Sequence, residues 1–277
     1  MQVFKTLSEL NVVLSEFRLA HKTIGFVPTM GALHNGHISL INYSKQQCDV
    51  TICSIFVNPT QFNNAEDLEH YPKTPETDCN LLEIAGCDFL YMPSVEDVYP
   101  TNDRRIFNFG YLDTILEAAH RPGHFNGVGQ VVSILLEGIK PSKAFFGKKD
   151  YQQVMVVKEL VKQLQLPIEI ISCPILREDD GLAMSSRNVR LSNQERIVAA
   201  LIPKIMKEAE YIAKSKSVAD AKLFVKDIIS KISIMKLEYY EICDSETLKI
   251  LNSVHSELPT VSLIAVFVGK IRLIDNL

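Results

Sequence analysis

Short apolar runs alternate with helix-period stretches through the first two-thirds of this chain. No other feature constrains the fold as much. Residues 23–28 (TIGFVP) make a brief apolar run ending in Pro28, which reads as a buried strand. Residues 37–47 carry Ile38, Leu40 and Ile41 at helical spacing, with Asn35 placed to cap them. Residues 50–57 (VTICSIFV) are β-branched and nearly all apolar, as a strand covered on both faces should be. A helix over 74–86 with Gly86 past its end, a strand at 88–92 and an apolar helix over 125–139 follow. A strand at 143–146, a helix over 151–165 and a strand at 168–173 complete the series. Strands alternating with helices predict an α/β fold with a parallel sheet and helices on both faces.

The texture changes after residue 172. Residues 173–188 (CPILREDDGLAMSSRN) are loop-like, with Pro174, Gly181 and a charge run. Two long helical patterns follow, over 192–214 and 217–233, then strand-like stretches at 239–243, 261–268 and 270–274. These predict a smaller α+β domain. The expected division is residues 1–175 for a Rossmann-like domain and 176–277 for the smaller one, which could act as a lid.

Composition removes several classes of function. The 277 residues include 29 basic and 33 acidic side chains, a net charge of −4, so no basic footprint for nucleic acid exists at whole-chain scale. The apolar stretch at 263–268 is far shorter than a membrane span. The first 22 residues interrupt their apolar positions with charges and read as an amphipathic helix, not a signal peptide. None of the six cysteines is paired at CxxC spacing, which predicts reduced structural thiols and a cytoplasmic protein.

Chemistry concentrates in two places. Met30, Gly31, Ala32, Leu33, His34, Asn35, Gly36 and His37 follow the first long strand directly and open the next helix. Ligands of open parallel sheets bind beyond the carboxyl ends of the strands, and a helix N-terminus there favours phosphate. His34 and His37 are three apart and share a face, so two imidazoles can donate to phosphate oxygens. A zinc reading of HxxH lacks a third ligand, so no metal ligand is assigned. Neither a P-loop nor a GxGxxG fingerprint follows that strand. The second place is Met184, Ser185, Ser186 and Arg187, a loop whose cation can brace phosphate bidentately.

The pairing of HNGH with a late MSSRN loop resembles the HIGH and KMSKS signatures of the nucleotidyltransferase superfamily. The ordered set VPTMGALHNGH, SIFVNPTQF, YPKT, RPGHFNGV, FGKKDYQQ, DGLAMSSRN and a C-terminal RLIDN is similar to the pantoate–β-alanine ligase family. This chain departs from many relatives at Asn35 and Lys148. The resemblance implies an AMP-forming ligase that makes pantoyl adenylate from ATP and pantoate, then transfers the pantoyl group to β-alanine. It also implies Mg²⁺ with the ATP and a homodimer, while charge and hydropathy predict no nucleic-acid or membrane partner.

Residue by residue, the resemblance puts residues 30–37 on ATP, with His34 and His37 on the phosphates. Asn58, Gln61 and Gln153 would hold pantoate. Gly147, Lys148, Lys149 and Asp150 would bind ATP, and Leu176 would meet the adenine through its backbone. Met184, Ser185, Ser186 and Arg187 would close over the phosphates, and His34, His37, Lys149 and Arg187 would carry catalysis. Asp78, in the helix after YPKT, would either approach the metal or be a plain surface carboxylate.

Overall fold

The strands expected from the sequence are present as β2 (Ile24–Thr29), β3 (Val50–Ile55), β4 (Phe89–Tyr91), β5 (Lys143–Gly147) and β6 (Glu169–Cys173). The computed structural model describes residues 1–62, 68–100, 105–254 and 257–277. A further strand, β1 (Gln2–Phe4), pairs with β4 and gives a six-stranded, all-parallel sheet in the order β1-β4-β3-β2-β5-β6. Gln2 opens β1 and only Phe4 of it is buried, so no apolar run marks this strand in the sequence. The N-terminal helix is shorter than expected, α1 (Leu7–Leu19), and a capping box between Thr6 and Glu9 starts it.

Period-two alternation sends β-strand side chains to opposite faces. Ile24 and Phe26 join Ile52, Phe89 and Leu14 of α1, together with Leu136 of α4 (His124–Ile139). Val27, Cys53, Leu90 and Phe145 join Leu40 and Ile41 of α2 (Asn35–Gln47) and Leu82 of α3 (Pro75–Ile84). Burying each such Leu or Phe contributes about 1.5–3 kcal/mol. The helix after β5 is α5 (Tyr151–Gln163).

The strand order also locates a crevice. From β2 the chain steps to β3 and β4 on one side, and the later strands β5 and β6 lie on the other. The order reverses beside β2, and ligands of open α/β sheets bind at the carboxyl ends of strands at such a switch point. The segment 30–34 leaves β2 there.

The chain divides into two compact units. One comprises Met1–Lys148 and Gln152–Pro174, the other Ile175–Leu277 together with Lys149–Tyr151. The second unit contains an antiparallel meander, β7 (Met235–Asp244), β8 (Thr260–Val268) and β9 (Ile271–Asn276). Ile264 and Val266 of β8 share a core with Met206, Ala209 and Val225. The single helix expected over 192–214 is two, α6 (Asn193–Ala199) and α7 (Ile202–Ser215). Pro203 lies in the first turn of α7, where its missing N–H breaks no hydrogen bond. Ser217 caps the next helix, α8 (Val218–Ser230).

Candidate active site

The turn after β2 is shaped by backbone bonds to two polar side chains. Thr29 Oγ1 donates to the Ser54 carbonyl at 2.7 Å and accepts from the Gly31 N–H at 3.2 Å. Gly31 has φ +83° and Ala32 φ +49°. Glycine adopts the left-handed region without penalty, whereas Ala32 there costs about 1–2 kcal/mol. The compensating contact comes from α3. Asp78 Oδ2 accepts from the Ala32 N–H at 3.0 Å and Oδ1 from the Leu33 N–H at 2.8 Å. Thr74 Oγ1 adds a third donor at 3.0 Å. Asp78 is 1% exposed. It is therefore not a surface carboxylate, and both of its oxygens accept hydrogen bonds from the turn.

His34 is the N-cap of α2, which corrects the expectation that Asn35 holds that position. The imidazole Nδ1 acts as an Asp or Asn oxygen would, accepting from the Gly36 N–H at 3.1 Å. His37 Nδ1 accepts from the His34 N–H at 3.3 Å. The two rings lie 4.1 Å apart between centroids. With Nδ1 an acceptor in both, each neutral ring carries its proton on Nε2. The N–H groups of Gly31, Ala32, Leu33, His34 and Gly36 are thus all used within the turn. An anion arriving here meets imidazole N–H groups and the helix dipole, not a row of idle backbone donors.

Met30 connects this turn to the segment after β3. Gln61 Nε2 donates to the Met30 sulfur at 2.9 Å, and Gln61 Oε1 accepts from Asn58 Nδ2 at 3.2 Å. Asn58 is 1% exposed. Its Nδ2 also donates to the Gly127 carbonyl, and its Oδ1 accepts from Thr60 and from Tyr99 Oη. The Asn58 amide is thus occupied in orienting Gln61.

The main chain of Gln61 is fixed as well. Its carbonyl lies 2.8 Å from His124 Nδ1 and accepts from Arg121 at 3.4 Å. Gly127 lets α4 approach, since a Cβ there would fall 2.4 Å from the Thr60 carbonyl oxygen. The motifs NPTQF and RPGHFNGV are therefore two halves of one support.

Gly147 ends β5, and Lys148 follows it in the first unit. Gln153 is half-buried on α5, beside buried Gln152. Gln152 accepts from the Glu117 N–H and donates to the carbonyls of Leu112 and Ile115.

Lys149 and Asp150 belong to the second unit, where Asn276 Nδ2 donates to the Lys149 carbonyl at 2.9 Å. Leu176 is exposed, and its carbonyl accepts from the Met184 N–H at 3.1 Å. Arg177 and Ala183 pair across a tight turn closed by Gly181. Arg177 makes two bonds to the buried Asp275 carboxylate, at 2.7 and 3.0 Å. The RLIDN motif thereby anchors the base of the loop that carries Met184, Ser185, Ser186 and Arg187. Ser185 Oγ accepts from the Arg187 N–H at 3.3 Å, and its carbonyl from Asn188 at 2.9 Å.

All six cysteines are free. Burial pushes the thiols of Cys87 and Cys243 up to about 12 and that of Cys173 to about 11, which keeps them protonated and poor nucleophiles at neutral pH. Among the described residues, no helix is long and apolar enough to cross a membrane, and no three His, Cys, Asp or Glu side chains are grouped to hold a metal.

Sequence reasoning missed the supporting contacts of Thr74, Asp78, Tyr99, Arg121, His124 and Asp275. Only the four-residue spacing of Thr74 and Asp78, one helical turn, hinted at a pair.

A family model described as pantoate-beta-alanine ligase matches residues 2–277. The pantothenate synthetase of Porphyromonas gingivalis is 46% identical over 277 residues, covering 100% of this chain and 99% of that protein. That of Cytophaga hutchinsonii is 48% identical over 274 residues, covering 98% and 97%. The crystal structure of pantothenate synthetase from Thermus thermophilus superposes with a TM-score of 0.90 at 37% identity, covering 100% and 99%. A pantoate-beta-alanine ligase from Francisella tularensis, complexed with beta-gamma ATP and beta-alanine, gives 0.84 at 37% identity, covering 100% and 97%.

Proposed function

This chain belongs to the pantoate–β-alanine ligase family, and from that premise we infer that it condenses pantoate with β-alanine using ATP, through a pantoyl adenylate. A carboxylate oxygen of pantoate attacks the α-phosphorus of ATP. The bond to the bridging oxygen breaks and pyrophosphate leaves. The neutral amine of β-alanine then attacks the acyl carbon. The bond to AMP breaks, and the surplus amine proton passes to solvent.

The first nucleophile is already ionised at neutral pH, so no general base is needed. Catalysis of that step is positioning plus stabilisation of charge on the α-phosphate and the leaving pyrophosphate. His34 and His37 would donate from Nε2, with Lys149 and Arg187 as further cations. Gln61 and Gln153 would bind the pantoate hydroxyls and carboxylate, for which an amide offers donors and an acceptor.

The observation that carries this reading is the 2.9 Å bond between Gln61 and Met30. It sets a side chain suited to a hydroxy acid against the turn that bears both histidines.

Asp78 spends its oxygens on the turn and the described residues offer no acidic cage. Any Mg²⁺ would therefore enter as MgATP, held by phosphate oxygens. A homodimer in the cytoplasm is part of the proposal. It rests on the family resemblance, and light scattering of the purified chain tests the dimer.

The decisive experiment follows AMP and pyrophosphate from ATP with pantoate, with and without β-alanine. Expected are pantoate-dependent pyrophosphate exchange without the amine, and AMP release matching product formation with it. AMP release indifferent to both substrates would overturn the assignment.

A further inference from the structure

We propose that Asp78 is a positioning residue for adenylation: it holds the Ala32–Leu33 turn in the one conformation that aims His34 and His37 at the nucleotide. The inference rests on the ligase reading above and adds a residue that never touches substrate.

The carboxylate is not an ordinary feature of a helix start. Acidic residues in a first turn usually serve the N–H groups of their own helix. Asp78 instead reaches a turn 45 and 46 residues away in sequence. Burying a carboxylate costs several kcal/mol unless it is well hydrogen-bonded. This one is 1% exposed and takes three donors, two from the turn and one from Thr74.

The turn is built around it. A Cβ on Gly31 would lie 3.1 Å from Asp78 Oδ2, so a larger residue there would crowd the carboxylate. Ala32 is held at φ +49°, a conformation it would leave if its N–H lost its acceptor. The next residue after Leu33 is His34, which caps α2 and receives the ring of His37. Both imidazoles thus take their origin from a segment that one carboxylate fastens. A shift of about 1 Å in such a constellation can cost 10²-fold in rate.

The test separates the two half-reactions. Asp78→Asn keeps the size of the side chain but opposes one turn N–H with an amide NH₂. In this variant pantoate-dependent pyrophosphate exchange should fall by about 10- to 100-fold. The pantoate KM should stay within about twofold, because Met30 precedes the segment that Asp78 binds and Gln61 is also held by Asn58, Arg121 and His124. Conversion of supplied pantoyl adenylate and β-alanine to product should be largely retained, since no pyrophosphate leaves in that step. Thr74→Val removes one donor to Asp78 and should give a weaker version of the same split, which serves if Asp78→Asn does not fold. Equal loss of both half-reactions in a folded variant, or no loss in either, would overturn the inference. Absence of pantoate-dependent exchange in the unmodified enzyme would instead overturn the ligase reading itself.

Discussion

Gln61 Nε2 donates to the sulfur of Met30 at 2.9 Å. A residue of the β3 exit and a residue of the β2 exit are thereby held in register across the mouth of the sheet. The same glutamine is held from behind by Asn58 and through its carbonyl by Arg121 and His124.

Met30→Leu keeps the volume and removes the sulfur acceptor. The pantoate KM should rise by about three- to tenfold, the loss of one modest hydrogen bond, with a smaller change for ATP. Gln61→Ala should raise it further. Steady-state kinetics with each substrate varied would decide, and an unchanged pantoate KM in Gln61→Ala removes Gln61 from the pantoate site.

The two histidines can be separated by substitution. His37→Ala should lower pyrophosphate exchange by ~10²–10³, the usual effect of removing one good donor, while circular dichroism stays native. His34→Asn should preserve the cap and the melting temperature yet lose exchange. His34→Ala should lose both, with about 1 kcal/mol of stability gone. Full activity in His34→Asn would mean that the ring serves only the helix.

Arg177 and Asp275 form a bidentate pair with Asp275 buried. Removing one partner of such a pair typically costs ~3–5 kcal/mol, because the other charge stays buried alone. Arg177→Met should therefore move the denaturant midpoint sharply downward. A midpoint equal to that of the unmodified protein would show the pair to be dispensable.

Asp49 predicts an acid response. Bonds from the Thr23 N–H and hydroxyl, then from Lys22, hold its carboxyl down at about 2, against 3.8 when unfolded. Its folded-state value is depressed, so its stabilisation is complete above pH 3.8 and is lost as pH falls through 2. Asp49→Asn should destabilise the protein at neutral pH and converge with it near pH 2. Melting curves that stay equally separated across that window would contradict the assignment.

The amine step predicts the opposite limb. β-Alanine must lose a proton before it attacks, and below the amine's pKa the neutral fraction rises about tenfold per pH unit. With β-alanine subsaturating, turnover should climb from neutral to mildly alkaline pH. A flat profile would require a base in the site.

The sheet was legible where a strand falls in an apolar run: all three residues of β4 are apolar and buried, whereas only Phe4 of β1, which pairs with β4 alone, is buried. The closeness of the His34 and His37 rings was legible from their spacing. Their capping bonds were not, because histidine is a rare N-cap and Asn35 is the commoner choice by residue type. The contacts of Asp78 and Asp275 escaped for another reason. Their partners lie 45 and 98 residues away, and a single sequence carries no sign of contacts made at such range. Asn58 was legible as part of the motif, but its buried amide faces Gln61, Gly127, Thr60 and Tyr99.

Because Nδ1 of each histidine in the β2 turn is already an acceptor, neither ring can take up a second proton without turning that nitrogen into a donor facing a backbone N–H. Charging His34 or His37 would unfasten the opening turn of α2. Were these rings to meet phosphate as proposed, this geometry would have each donate from Nε2 while Nδ1 stays fastened to the turn.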